Sequence, residues 1–106
     1  MRLALCRIDS LAEGEARGFE TPHGPVILLR RGDSFACFLN RCPHEGKRLD
    51  RLRDRFLTFD GAFLKCAHHG ALFDMMTGEG LSTPCFGNQL SRLEYSIIDG
   101  WVYLEG

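Results

Sequence analysis

Two short cysteine and histidine motifs constrain this chain more than any other feature. The first is Cys42-Pro43-His44, and the second is Cys66-Ala67-His68-His69. Each motif offers one thiolate and at least one imidazole, so that together they supply two ligands of each kind. Such a soft set suits either zinc or an iron–sulfur centre. The chain therefore has to bring two loops, distant in sequence, to a common metal site.

Each motif lies where an apolar stretch runs into a turn that contains glycine. Glu45-Gly46 follows the first motif, and Gly70 follows the second. Glycine allows a turn to adopt a backbone conformation that other residues resist, which suits a ligand at the tip of a loop. Residues 45–65 separate the motifs and contain Asp60-Gly61, a dipeptide typical of hairpins. A hairpin at that point can place the two loops side by side.

The rest of the chain predicts an all-β fold. Apolar runs rich in β-branched and aromatic residues occur in pairs around turn signals, and two of these signals are Asp-Gly, for which we expect type I′ turns. The paired strands are predicted at 26–30 with 35–39, 56–59 with 62–66, and 95–98 with 101–104. Further strands are predicted at 3–8 and 15–21, with a turn at 22–25. One helical turn is expected between Asp9 and Gly14, capped by Asp9 or Ser10.

The length of 106 residues is that of a single domain, residues 1–106, which we expect to form a small sandwich or barrel-like base. Into this base we expect a loop-rich, metal-binding subdomain to be inserted at about residues 40–87. The net charge of −1 gives no indication of a nucleic-acid partner. No segment is long enough to span a membrane, and the N-terminus lacks a secretory signal.

The five cysteines also favour metal binding over a disulfide framework, because their number is odd and two of them lie in the motifs. Cys6 and Cys37 lie in apolar strands and are interpreted as small buried thiols. Cys85 follows a proline in a glycine-containing loop, where we expect it to be neither a metal ligand nor a disulfide partner.

At this point the motifs resemble the Rieske [2Fe–2S] family. Residues 40–46 resemble its first cluster loop, and residues 66–74, followed by Thr77-Gly78, resemble its second. Residues 81–87 lie where the family has a proline loop over the cluster, and the final hairpin is also typical. The resemblance covers the whole chain, and it is greatest to small bacterial Rieske proteins such as the ferredoxin components of ring-hydroxylating dioxygenases.

The resemblance implies a ligand set. Cys42 and Cys66 would bind one iron, and His44 and His69 would bind the other, nearer the surface. His68 is the competing candidate, but the family uses the histidine three residues after the cysteine. His68 is therefore expected to pack or to face solvent, and His23, between two prolines, to be solvated.

The same resemblance predicts a reduction potential toward the low end of the Rieske range. High-potential members carry a serine and a tyrosine that donate hydrogen bonds to sulfur, and a disulfide that links the loops. The matching positions hold Ala71 and Phe73, which have no hydroxyl group, and Lys47 and His68, which cannot form a disulfide.

The function expected from the resemblance is that of a soluble, cytoplasmic electron carrier without catalytic residues of its own. A Rieske oxygenase would need a second domain with a mononuclear iron, whereas this chain ends at Gly106. The expected partners are a flavin reductase as donor and an oxygenase or other redox enzyme as acceptor, with no nucleic acid and no membrane, and the protein is expected to be a monomer in isolation. Two alternatives stay open: a small Rieske subunit of a reductase such as assimilatory nitrite reductase, and a structural Cys₂His₂ zinc module.

Residues 47–55 form a segment with five basic and two acidic residues beside the first motif. It is either a solvated loop or a basic rim that steers a negatively charged redox partner toward the histidine edge.

Overall fold

Antiparallel β-strands make up nearly all the regular structure in the computed structural model, which describes residues 2–43, 46–50, 54–67, 70–83 and 85–105. This confirms the predicted all-β class. The strands are β1 (Arg2–Arg7), β2 (Ala16–Thr21), β3 (Gly24–Arg31), β4 (Ser34–Leu39), β5 (Leu64–Lys65), β6 (Leu72–Phe73), β7 (Tyr95–Ile98) and β8 (Trp101–Glu105). They form three sheets, ordered β1-β8-β7, β2-β3-β4 and β5-β6.

The central strand of the β2-β3-β4 sheet, β3, is buried on both faces from Val26 to Leu29, and this explains its unbroken apolar run. Along β3 the side chains alternate between two separate cores: Ile27 and Leu29 enter one, and Val26 and Leu28 enter the other. All four are fully buried. Alternate residues of a strand point to opposite faces, so a strand buried on both sides has no position for a polar residue.

The two cores give the domain its layers. The base core lies between this central sheet and the β1-β8-β7 sheet, which contributes Cys6, Val102 and Leu104. The site-side core lies on the opposite face and includes Cys42, Cys66 and Cys85. The cysteines of both motifs therefore lie on the central sheet, on the face away from the base core.

The predicted type I′ conformation is confirmed at one Asp-Gly turn and is wrong at the other. Asp99 and Gly100 both have positive φ, 52° and 79°, as a type I′ turn between β7 and β8 requires. At the other turn Gly61 has φ 72°, but Asp60 does not have a positive φ. There the Gly61 N–H donates to the Thr58 carbonyl (2.9 Å), so Asp60 lies within a turn that Gly61 ends.

The prediction of a strand at 56–59 is also wrong. In this region the structure has an isolated antiparallel β-bridge, between Leu57 and Leu64. Leu64 and Lys65 pair with β6 instead. The two arms around the turn still run together, because the Thr58 N–H donates to the Phe63 carbonyl (2.9 Å) and the Lys65 N–H to the Phe56 carbonyl (2.7 Å). The spacer therefore folds back on itself as the sequence predicts, in a shorter and less regular form.

The predicted helical turn is displaced and lacks its cap. A 3₁₀ turn spans Ile8–Ser10, and no side chain caps its first residue. The Ser10 hydroxyl donates to the Arg7 carbonyl (2.8 Å) instead of accepting from a backbone N–H. No helix among the described residues has the length and apolar character needed to cross a membrane.

Candidate metal centre

Two residues separate the end of β4 from Cys42, and the loop that starts at Cys42 is closed by its own backbone hydrogen bonds. The Cys42 N–H donates to the carbonyl of Lys47 (2.6 Å), and the Gly46 N–H donates to the carbonyl of Cys42 (2.7 Å). Gly46 has φ 72°, a left-handed conformation in which glycine carries no steric penalty. The loop is therefore held by its own backbone, with the cysteine at its base.

The second cysteine loop, between β5 and β6, repeats this arrangement. The Cys66 N–H donates to the carbonyl of Ala71 (2.9 Å), and the Gly70 N–H donates to the carbonyl of Cys66 (2.8 Å). Gly70 has φ 70°. In both loops the cysteine bonds to residues four and five positions later, so the two loops present their cysteines in equivalent backbone settings.

A direct hydrogen bond joins the two halves of the site. The Ala67 N–H, next to Cys66, donates to the carbonyl of Leu49 (2.8 Å), just beyond the first loop. Cys42 and Cys66 are each 1% exposed and share the site-side core. The structure thus buries two thiols from separate loops in one core.

A third loop, between residues 80 and 88, adds a cysteine to this region. The sulfur of Cys85 lies 3.7 Å from the sulfur of Cys42, and Cys85 is fully buried. No disulfide joins any of the five cysteines in this structure. The sequence placed Cys85 near the site but gave no indication that it contacts a motif cysteine.

The predicted histidine ligands lie outside the described residues, and so does their competitor. These are His44, His69 and His68. Within the described ranges, no group of three or more His, Cys, Asp or Glu side chains is arranged to hold a metal ion. Of the four predicted ligands, the structure therefore describes the two cysteines, Cys42 and Cys66.

A buried polar network that the sequence analysis missed supports the first loop. Asn40 is 2% exposed; its side-chain oxygen accepts from the Leu49 N–H (2.7 Å), and its nitrogen donates to Asp50 (2.9 Å). Asp50 accepts in turn from the Asp54 N–H (3.3 Å). The Asp54 carboxylate accepts from the Gly18 N–H on β2 (2.8 Å). These bonds connect the spacer to Asn40, which precedes the first loop, and to strand β2.

This network changes the interpretation of the basic segment at 47–55. Its two acidic residues, Asp50 and Asp54, hold the backbone, and the Asp50 side chain is only 4% exposed. Arg48 pairs with Glu20 (2.8 Å) and Asp50 (3.4 Å), whereas Arg55 is exposed. Arg51, Leu52 and Arg53 lie outside the described residues.

The side chains around the second loop are apolar where a high-potential centre would have hydroxyl groups. Ala71 and Phe73 are fully buried in the site-side core. The turn that follows is fixed by Asp74, whose carboxylate accepts from the N–H groups of Thr77 and Met76, both at 2.9 Å. The Thr77 bond first, and then the Met76 bond, hold the pKa of Asp74 below its ordinary value. The Asp and Thr-Gly that follow the second motif are thus structural residues.

The described donors fit an iron–sulfur centre. Buried thiols in an apolar pocket favour soft metal–sulfur bonding, and the equivalent backbone of the two loops suits a centre that takes one thiolate from each. Cys37 shows the contrasting case: burial alone raises the pKa of its thiol to about 12, and it lies in the base core away from the loops. Cys6 is also buried in that core, as predicted for both residues.

Comparison with known proteins gives a match to one domain family. The model of the Rieske [2Fe–2S] domain matches residues 1–95. Ferredoxin CarAc of Metapseudomonas resinovorans is 29% identical over 105 residues, which cover 98% of this chain and 92% of that protein.

Solved structures agree. One chain in the complex of reduced oxygenase and oxidized ferredoxin of carbazole 1,9a-dioxygenase superposes with a TM-score of 0.80 at 28% identity, and covers 99% of this chain and 93% of its own length. The ferredoxin of Sphingomonas yanoikuyae B1 gives a TM-score of 0.79 at 24% identity, over 100% of this chain and 99% of that one, and supports the fold alone.

Proposed function

Because this chain belongs to the Rieske [2Fe–2S] domain family, we propose that it passes single electrons from a flavin reductase to an oxygenase. The observation that carries the proposal is the similarity to a ferredoxin in sequence, and to a chain of an oxygenase–ferredoxin complex in structure, which extends over nearly the whole length of both chains. The similar chain of known structure comes from an oxygenase–ferredoxin complex, which is the type of partner that the sequence predicts.

Family membership confirms several predictions made from the sequence. The cofactor is a Rieske-type [2Fe–2S] cluster, and the protein is an electron carrier and not a catalyst. The match gives no support to the zinc module.

The proposed ligands are Cys42 and Cys66 on one iron and His44 and His69 on the other. When bound, the cluster supplies one-electron redox chemistry. The chain contributes two thiolates, which balance the charge of two ferric ions and two sulfides, while neutral imidazoles add none. The buried thiols and the site-side core keep water from the cysteine side, so the histidine side is the proposed route for electrons. Residues 40–87 are proposed as the cluster-binding subdomain.

We further place this carrier in the cytoplasm, as a monomer when isolated. The odd number of cysteines, two of which lie in the metal-binding motifs, supports a reducing compartment. The reductase-subunit alternative differs in predicting a stable complex with a large catalytic subunit.

The direct test is purification under anaerobic conditions, followed by iron and acid-labile sulfide analysis and an electron-transfer assay. We expect a red-brown protein with equal iron and sulfide. It should be reduced by a flavin reductase and reoxidised by a ring-hydroxylating oxygenase. A colourless, zinc-loaded protein would contradict the cofactor. A loaded protein that no oxygenase reoxidises, but that copurifies with a large reductase, would favour the alternative.

The reduction potential should lie toward the low end of the Rieske range, which runs from roughly −150 to +300 mV. The reason is that Ala71 and Phe73 are buried beside the second loop without a hydroxyl group to donate to sulfur. Phe73→Tyr and Ala71→Ser should each raise the potential if the new hydroxyl reaches sulfur. Redox titration checks this, and a native potential near the top of the range would refute it.

The basic residues of segment 47–55 should accelerate the encounter with an acidic partner. Replacing Arg51, Arg53 and Arg55 with glutamine should slow electron transfer at low ionic strength and flatten its salt dependence, because long-range attraction is screened by salt. The measurement is the transfer rate at two ionic strengths. The matched control replaces Arg2 and Arg7, exposed on β1 at the far side of the base core. Equal transfer rates for the two variants would mean that the segment is a solvated loop with no role in docking.

A further inference from the structure

We propose that the thiol of Cys85 donates a hydrogen bond to the sulfur of Cys42 and thereby raises the reduction potential of the cluster. Cys85 is then a positioning and tuning residue and not a ligand. The inference rests on the proposed function, in which Cys42 binds iron.

The geometry is that of a sulfur–sulfur hydrogen bond. The two Sγ atoms lie 3.7 Å apart, and either could be the donor when both carry protons. A cysteine bound to iron is a thiolate, which has no proton and can only accept. Cluster binding by Cys42 therefore fixes the direction, with Cys85 as the donor. Both residues are at most 1% exposed, so water does not compete for the bond.

Within the third loop, hydrogen bonds to both the N–H and the carbonyl of Cys85 hold it in this position. Its N–H donates to the Ser82 carbonyl (3.0 Å), and its carbonyl accepts from the Asn88 N–H (2.9 Å). The loop closes so tightly over Gly80 that a Cβ there would lie 2.0 Å from the Cys85 oxygen. A thiol on such a fixed backbone is pre-organised to point at one sulfur.

The effect on potential follows from charge. Reduction adds one negative charge to the centre, and part of it resides on the sulfur ligands. A donor to one of those sulfurs stabilises the reduced state more than the oxidised state. Ala71 and Phe73 offer no such donor at the second loop, so Cys85 is the donor that the described structure provides at the first.

The test compares Cys85→Ala with Cys85→Ser. The alanine variant removes the donor and should lower the equilibrium constant for reduction by about two- to fivefold, because S–H bonds are weak donors. This equals about 20 to 40 mV at 59 mV per tenfold change for one electron. The serine variant keeps a donor of similar size and should hold the potential at or above the native value.

Cys37→Ala is the matched control, since it removes a buried thiol from the base core, away from the loops. It should leave the potential unchanged. An unchanged potential in Cys85→Ala, or an equal decrease in the alanine and serine variants, would overturn the proposal and leave a packing role. Loss of iron from Cys85→Ala with retention in Cys42→Ala would instead overturn the ligand assignment.

An infrared measurement on the loaded protein detects the hydrogen bond itself and needs only the conservative serine variant as its reference. Subtracting the infrared spectrum of Cys85→Ser isolates the S–H stretch of Cys85, because ligated cysteines have none. A hydrogen-bonded thiol shifts this band to lower frequency than that of Cys37. A band at the position of a free thiol would contradict the proposal.

Discussion

Replacing Cys42, His44, Cys66 or His69 with alanine should abolish the red-brown absorption of the cluster, while His68→Ala should leave it largely intact. In the proposed ligand set two protein ligands would hold each iron, so the loss of one would leave an open position and expose the cluster to hydrolysis. Visible absorption, iron and acid-labile sulfide, measured together on anaerobically purified variants, give the result. His68→Ala is the matched control, since it removes an imidazole next to a proposed ligand.

The same variants should also be much less stable than the native protein. A backbone hydrogen bond from Ala67 to Leu49 joins the two cysteine loops in the described part of the chain, and the cluster would tie them together covalently. Thermal unfolding of the cluster-free variants should therefore occur well below that of the loaded protein. Loss of the cluster in His68→Ala with retention in His69→Ala would reverse the histidine assignment.

The parts of the fold that were predictable are those in which local sequence and burial agree. The run from Val26 to Leu29 reads as a strand because both of its faces are covered, and Asp99-Gly100 forms the type I′ turn because just two residues link the strands. At Asp60-Gly61 the Asp60 side chain instead accepts from Thr58 (2.6 Å) and the Ala62 N–H (3.1 Å). That local competition selects another turn, and the sequence alone does not show which turn prevails.

The candidate site was predictable to the level of its motifs. A cysteine in a glycine-closed loop is a local pattern, and the structure places both cysteines as expected. The contact between Cys42 and Cys85 depends on how the third loop lies over the first, which no local pattern encodes. The roles of Asp50 and Asp54 were hidden for a related reason: acidic residues within a basic run suggest a solvated loop, although here Asp50 bonds to the buried Asn40 side chain and Asp54 to the backbone of β2.

The hydrogen bonds of Asn40 to Leu49 and Asp50 hold the first loop in position. Asn40→Ala should destabilise the protein by about 3 kcal/mol, since it leaves the buried Leu49 N–H without its acceptor and removes one of the donors to the Asp50 carboxylate. In a domain of this size the expected decrease in Tm is ~10–20 °C. Asn88→Ala is the matched control, because Asn88 is exposed, and it should unfold close to the native temperature.

Asn40→Asp separates the network from simple packing. The introduced carboxyl is nearly isosteric and can still accept from the Leu49 N–H, but it faces Asp50 where the native amide donates. Burial and the neighbouring carboxylate both raise the pKa of the introduced group above its value in the unfolded chain. Stability is therefore present while that group is protonated and is lost as pH rises through its raised pKa. Unfolding of Asn40→Asp at pH 5 and pH 8, at equal cluster loading, should show a larger loss at pH 8 relative to the native protein. A loss independent of pH would mean that Asn40 only fills space.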